Sequence, residues 1–447
     1  NTVVESGALV VPTVRTNTSS AIQVADGAEF GVVLTEHGSS AGIGSLTFAG
    51  NSFGTFSFDL GAFSTPTAPL ARVGTLTANG PVVINVHNGN MLSVGQIVLV
   101  DYDNIVGAAN FTLGSLPAGV SGNLVVDTVN GSIELNITAV PGLRWTGAVD
   151  GTWDHFTPNW LDLQTSAATA FIDYNPTEFL DGAATGEINI NTFPMPSAII
   201  VSNSALPYTW SGEYFIITPV VRKDGDGTLT RVGGETDEIG AFELNEGTFV
   251  LDHFYDIPSY PTVFSDNGSG LGTFVKDGAS RLTLTADNSA YNGDIVVRNG
   301  VLKMGVAGSI GSNNGTIIIE DGATLDLNNI VAPNKPVVVS GEGYLGQGAI
   351  TDTDSATGVA HNLTDVTMVG HTTFGAIGRW DLRVRTATGP GPGLRGNGYD
   401  LTKVGPGFVS IACQRHFNEA NQPYWQMNLG DIYVKEGTLT FAESVSL

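Results

Sequence analysis

An acidic residue or asparagine followed by glycine recurs along the second half of this chain at a nearly constant interval. The pairs are Asp224-Gly225, Glu246-Gly247, Asp277-Gly278, Asn299-Gly300, Asp321-Gly322 and Glu342-Gly343, with steps of 22, 31, 22, 22 and 21 residues. Each sits between short runs in which apolar and polar residues alternate. Examples are Ile295-Val-Val-Arg-Asn-Gly-Val-Leu-Lys-Met304, Thr316-Ile-Ile-Ile-Glu-Asp-Gly-Ala-Thr-Leu-Asp-Leu327, Phe242-Glu-Leu-Asn-Glu-Gly-Thr-Phe-Val-Leu251 and Ile432-Tyr-Val-Lys-Glu-Gly-Thr-Leu-Thr-Phe441. A degenerate copy, Ile22-Gln-Val-Ala-Asp-Gly-Ala-Glu-Phe30, lies near the start. Alternation of period two marks a half-buried strand, and glycine supplies the positive φ of a tight corner.

A fixed step in the low twenties predicts a β-solenoid, each repeat being one coil stacked on its neighbours. The 31-residue step then reads as a coil with a loop insertion at residues 253–267. The same dipeptides also close type I′ hairpins, so an antiparallel meander gives the same spacing. An insertion that preserves the phase favours coils on a shared axis. Three regions differ in texture. Residues 1–142 are rich in Val, Thr and Gly, with turns such as Asn79-Gly80 and Asn130-Gly131. Residues 143–221 form a spacer carrying Trp145, Trp153, Trp160 and Trp210. Residues 222–447 hold the regular coils, interrupted by Gly389-Pro-Gly-Pro-Gly393 and by an insertion over residues 412–427.

Composition narrows the function. Forty-three acidic residues against 18 basic ones leave a net charge of −25, which offers little to a phosphate backbone or an anionic lipid surface. Nucleic acid is therefore excluded as a partner. Fifty-eight glycines in 447 residues disfavour helices throughout, and no long amphipathic helix is expected. The single cysteine, Cys413, excludes an intrachain disulfide and a CxxC metal site. No apolar run reaches membrane-spanning length, so no membrane insertion is expected. The first residue is Asn1, which fits either a removed signal peptide or a start inside a longer precursor. Few charges and one cysteine suit an exported bacterial protein, extracellular or at the cell surface.

The catalytic motifs in the sequence lack their contexts. Gly38-Ser-Ser-Ala-Gly42 fits a hydrolase elbow, but a strand pattern follows where a helix is required. Gly341-Glu-Gly-Tyr-Leu-Gly346 and Gly391-Pro-Gly-Leu-Arg-Gly396 fit a dinucleotide fingerprint, but neither opens a helix. Asp224-Gly-Asp-Gly227 is a fragment of a calcium loop without its Glu, so structural Ca²⁺ on an acidic corner stays the minor reading and no cofactor is expected. The seven histidines show no metal-binding spacing, and His253 with Asp256 reads as a surface pair. Arg379, Arg383 and Arg385 would share one strand face beside Trp380 and Asp381, as a sugar-contacting surface or a plain ladder of charge.

Gly272-Thr-Phe-Val-Lys-Asp-Gly-Ala-Ser-Arg-Leu-Thr-Leu284, with Asn288, Tyr291, Asn292-Gly293 and Asp294-Ile-Val-Val-Arg-Asn-Gly-Val-Leu302, resembles the autotransporter-associated β-strand repeat. A second copy begins at Asp400-Leu-Thr-Lys-Val-Gly-Pro-Gly407 and rejoins the pattern at Gly430-Asp-Ile-Tyr-Val-Lys-Glu-Gly-Thr-Leu439. Trp145-Thr-Gly-Ala-Val-Asp-Gly-Thr-Trp153 and Leu116-Pro-Ala-Gly-Val120 are similar to spacers of large surface proteins carrying such repeats. The resemblance implies an extracellular right-handed parallel β-helix serving as stalk or scaffold.

Two functional readings follow. The first is a structural protein without catalytic activity that associates with itself. Its last residues, Gly437-Thr-Leu-Thr-Phe-Ala-Glu-Ser-Val-Ser-Leu447, stop in mid-repeat, and its first, Asn1-Thr-Val-Val-Glu-Ser-Gly-Ala-Leu9, match the continuation seen at Asn314-Gly-Thr-Ile-Ile-Ile-Glu-Asp-Gly-Ala-Thr-Leu325. Asn1, Thr2, Val3, Val4, Leu9 and Val10 of one copy are thus expected to meet Leu439, Phe441, Val445 and Leu447 of another, head to tail, in a filament. The second reading is a carbohydrate-active β-helix, a polysaccharide-binding module or a lyase.

Overall fold

In the computed structural model the chain is nearly all β, wound into about 15 turns of parallel, stacked β-solenoid. The structure describes the chain except for residues 15, 37, 62–64, 90–91, 93, 234–235, 358–360, 384–392, 413–415, 418–422, 425–426 and 442–447, together with the side chains of 16–18, 361–362, 416–417 and 423–424. Two compact units divide it. One comprises residues 1–145, 158–178 and 196–200, and the other residues 146–157, 179–195 and 201–447.

In the first unit each coil contributes one strand to each of two sheets. Thr2–Val4, Thr16–Val24, Ala41–Phe48, Ala71–Ala78 and Gly95–Val106 lie side by side in parallel. Ala8–Pro12, Glu29–Val33, Gly54–Asp59, Val82–His87 and Phe111–Leu113 form the second sheet, also parallel. Parallel, in-register strands about 4.8 Å apart place like residues over like. Ile22 therefore pairs with Leu46 and Leu46 with Leu76, while Phe30 pairs with Phe56 and Phe56 with Ile84. All six are buried, and the Phe30 and Phe56 rings lie 5.6 Å apart.

The same dipeptide has two outcomes here. Asn79-Gly80 joins strands that belong to different sheets, whereas Asn130-Gly131 closes a true antiparallel hairpin between Ser121–Asp127 and Ser132–Ala139. The hairpin continues the first sheet across Gly95–Val106. Trp145 and Trp160, from the tryptophan-rich stretch, pack edge to face at 5.2 Å in this unit's core.

In the second unit, residues 222–350 settle the choice between coils and hairpins. Asp294–Val297 and Gly300–Met304 flank Asn299-Gly300 and do not pair with each other. The first pairs in parallel with Leu271–Asp277 and Ile317–Ile319, and the second with Arg281–Leu284 and Ala323–Asp326. Asp321-Gly322 is likewise a corner between two strands, Ile317–Ile319 and Ala323–Asp326, that pair with different neighbours, with Gly322 at φ 86°. Trp153, Phe179 and Trp210 open this core, their ring centroids 5.2–6.0 Å apart.

The 31-residue step has a different origin from the expected insertion. Gly247 stacks on Gly272, not on Gly278, and Asp252 stacks on Asp277. The pairs at 246–247 and 277–278 therefore occupy two different corners. Residues 253–267 are no loop: they contain the strands Ile257–Tyr260 and Val263–Ser265. Here the coil gains a third strand, and the acidic-Gly corner moves on by one side.

Candidate functional site

The first coil presents two strands, each paired on one side. Among the described residues Thr2–Val4 pairs only with Thr16–Val24, and Ala8–Pro12 only with Glu29–Val33. Register sets which side chains point inward. Thr2 and Val4 stack on buried Ile22 and Val24, and Leu9 and Val11 on buried Phe30 and Val32. Val3 and Val10 point outward and are 53% and 55% exposed. The candidates thus separate by parity into an inward set, Thr2, Val4 and Leu9, and an outward set, Val3 and Val10. Thr2, Leu9 and Val11 line an opening of about 230 Å³ into the core, with Ile22 and Ile43 behind them. The corner at Glu5-Ser-Gly7 is held by the Ala25 N–H donating to Val4 O and the Glu29 N–H donating to Gly7 O, both at 2.9 Å.

The other candidates lie on the coil made by Ile432–Val434 and Thr438–Phe441. The first strand pairs with Leu401–Val404 and the second with Phe408–Ala412, and among the described residues neither has a partner on its outer edge. Leu439 and Phe441 continue the inward columns Trp380–Val409 and Leu382–Ile411. Ile432 and Val434 continue the columns of Leu401 and Lys403, yet Val434 is 52% exposed. Val445 and Leu447 lie outside the described residues, as do Cys413 and Arg385.

A lysine positions this coil. Lys403 is fully buried, and its ammonium donates to the carbonyls of Val404 at 2.7 Å and Gly405 at 2.8 Å, and across to Glu436 at 3.4 Å. Two other lysines repeat the arrangement. Lys223 caps Asp224, Gly225 and Glu246, and Lys276 caps Asp277, Gly278 and Asn299. Desolvation pulls each of the three down to about 8, against the pull of nearby carboxylates. The signal was present in the sequence as Lys-x-Gly at 223–225, 276–278 and 403–405, but its role as a clamp between coils was not.

The clamps pair two corner lengths. Six positions separate the lysine from the next inward residue in Lys223 to Leu229, Lys276 to Leu282 and Lys403 to Val409. The corner stacked above each spans five: Leu244 to Phe249, Val297 to Leu302 and Val434 to Leu439. The first coil, Val4 to Leu9, also spans five. It therefore has the corner length of the coil carrying Leu439, while Ile319 to Leu325 spans six.

The remaining motifs are absorbed by the fold. Trp380 is buried and donates its indole N–H to Gly375 O, so it faces the core rather than a sugar. Arg379 makes a bidentate pair with Asp381 and lies 4.7 Å over the Phe408 ring. Asp224 is engaged by Arg222 at 2.6 Å and by Asn245. Ser40, of the elbow-like motif, donates to Pro69 O and enters the strand Ala41–Phe48. The glycine motif at 341–346 runs into one 3-10 turn, Tyr344–Gly346, too short to hold a pyrophosphate. His253 is no surface residue: it is 3% exposed, and desolvation lowers it to about 4. No helix is long and apolar enough to cross a membrane, and among the described residues no group of three or more His, Cys, Asp or Glu could hold a metal ion.

Comparison with known proteins adds no relative: no family model, curated protein or solved structure matches this chain.

Proposed function

We propose that this chain is an extracellular structural protein, of the autotransporter-repeat kind, that associates head to tail with copies of itself into a cell-surface or secreted filament. The observation that carries the reading is the match between two coils whose outer strand edges have no partner among the described residues. Val4 to Leu9 and Val434 to Leu439 span the same five positions, each with a left-handed glycine at the corner, Gly7 at φ 75° and Gly437 at φ 73°. Stacking one on the other puts Thr2 on Ile432, Val4 on Val434, Leu9 on Leu439 and Val11 on Phe441, all in phase. Such strand addition adds main-chain hydrogen bonds and buries the inward side chains together. The contact is heterologous, so it propagates unless its rotation closes a ring.

Deleting residues 1–12 tests this. The deletion removes both strands of the first coil, Thr2–Val4 and Ala8–Pro12, which the proposed contact sets on Ile432–Val434 and Thr438–Phe441. Electron microscopy and light scattering are expected to show filaments for the full chain and folded monomers for the truncated one. Normal polymerisation of the truncated protein, or a full chain that stays monomeric at high concentration, overturns the proposal.

A further inference from the structure

The second unit carries a cleft of about 1040 Å³ that plays no part in the end-to-end contact. Its walls come from three successive coils, at residues 211–215, at 232–233 with 236–238, and at 253–257. At that size it stands at the upper end of small-ligand sites. We propose that it binds an uncharged oligosaccharide.

The first argument is the aromatic lining. Phe254 and Tyr255 are 65% and 70% exposed, on a segment whose neighbours His253 and Ile257 are buried. Two consecutive large rings left in water offer apolar faces to a partner. The Phe254 ring is seated on Gly233, where an added Cβ would come within 3.0 Å of Cε2, and Gly233 itself has φ 60°. The CH faces of sugar rings stack on flat aromatic surfaces of this kind.

The second argument is charge. Glu213, Glu238 and Asp256 line the cleft, and among the described residues no lysine or arginine does. An anionic polysaccharide would meet repulsion, whereas sugar hydroxyls would donate to these carboxylates. Phe254 and Tyr255 make no ring contact with each other or with Phe215, whose ring packs on Phe193 at 4.8 Å. They are separate platforms rather than a cage around one cation.

The third argument is an unsatisfied group. His253 lines the cleft, is almost wholly buried, and among the described residues its Nε2 has no hydrogen-bond partner. A buried polar atom without a partner costs stability unless something meets it. A sugar hydroxyl can both donate and accept, and so fits either tautomer.

The walls are held rigidly. Arg231, 1% exposed, donates to Asp237 through Nε at 2.8 Å and Nη2 at 3.0 Å, and to Tyr214 O at 2.8 Å. Asp237 in turn accepts the Ile216 N–H at 2.9 Å. One buried ion pair thus ties the 211–215 wall to the wall carrying Asp237 and Glu238, which preorganises a site before a ligand arrives.

Saturation-transfer NMR on the full chain tests the proposal, because it reads the small ligand whatever the state of assembly. The probes are cello-, xylo- and mannohexaose as uncharged oligomers, an oligogalacturonate as the anionic one, and a chitosan hexamer as the cationic one. Transfer to ring protons of at least one uncharged oligomer is expected, with at least a tenfold loss of affinity in the Phe254→Ala/Tyr255→Ala variant. Both side chains are exposed, so the variant should fold, which circular dichroism checks. No transfer to any uncharged probe, unchanged binding by the variant, or binding of the chitosan or galacturonate oligomer alone overturns it.

Discussion

The ammonium of Lys276 lies 2.9 Å from the carbonyl oxygen of Asn299, the corner residue of the next coil, while holding the carbonyls of Asp277 and Gly278 in its own. A parallel stack satisfies its strand backbones through the neighbouring coils, but its corners leave carbonyls pointing inward. A buried lysine answers three at once and so welds two coils at the point where the ladder is interrupted.

Lys276→Met keeps the stem's packing and removes the donors. Three partly buried carbonyls then lose their partner, which should destabilise the second unit by about 3 kcal/mol. Hydrogen exchange would locate the effect: the Gly278 and Gly300 amides should exchange faster, while amides of the first unit should not change. A variant with wild-type exchange at both corners would show that the clamp contributes nothing.

The glycines facing the clamps should tolerate substitution far less than glycines of similar φ elsewhere. A Cβ on Gly300 would sit 2.3 Å from Ser280 O, 2.5 Å from Gly278 O and 2.8 Å from Lys276 Nζ. On Gly322, with φ 86°, nothing lies within 4 Å. Gly322→Ala therefore carries only the left-handed backbone penalty of about 1 kcal/mol, whereas Gly300→Ala must also push two coils apart. Urea midpoints of the two variants should differ clearly, and equal values would refute the argument.

Corners and inward faces could be read locally because alternation and left-handed glycine are local properties. What lay beyond that reading is non-local. Whether Asp277-Gly278 stacks on Glu246-Gly247 or on Asp252-His253 depends on how many strands the coil has, and a three-strand coil repeats the same short phrases. Parity was visible at Arg379 and Trp380, but not which parity faces in. The packing of Phe374 against Trp380 at 5.1 Å decides that. The cleft could not be read from the sequence because Phe254 and Tyr255 fall in residues 253–267, where the spacing predicts only a loop insertion.

Stability should rise with pH across a window set by four buried lysines. Lys223, Lys276, Lys335 and Lys403 are each lowered to about 8 by desolvation, against 10.5 in the open chain. Between these values the unfolded chain holds more protons than the folded one, so the slope of stability with pH is positive. Burial raises Tyr208, Tyr260 and Tyr291, which reverses the slope once unfolded tyrosines ionise above pH 10. The urea midpoint of the second unit should therefore climb from pH 8 to about pH 10 and then fall. A flat profile, or a decline beginning at pH 8, would contradict the assignment.

The proposed end contact also fixes a distance that can be trapped. Val3 and Tyr433 both point outward at the centre of their strands, and the stacking that sets Val4 on Val434 makes them cross-strand neighbours. Adjacent parallel strands hold such residues about 4.8 Å apart, within the Cα separation that a disulfide spans. In a Cys413→Ser background, Val3→Cys/Tyr433→Cys should oxidise to covalent ladders of two, three and more chains on a non-reducing gel. Val10→Cys/Tyr433→Cys places one cysteine on the other sheet and should give none. A ladder of equal strength from both pairs would point to random collision. No ladder from Val3→Cys/Tyr433→Cys in samples that do form filaments would mean that the copies meet by another surface.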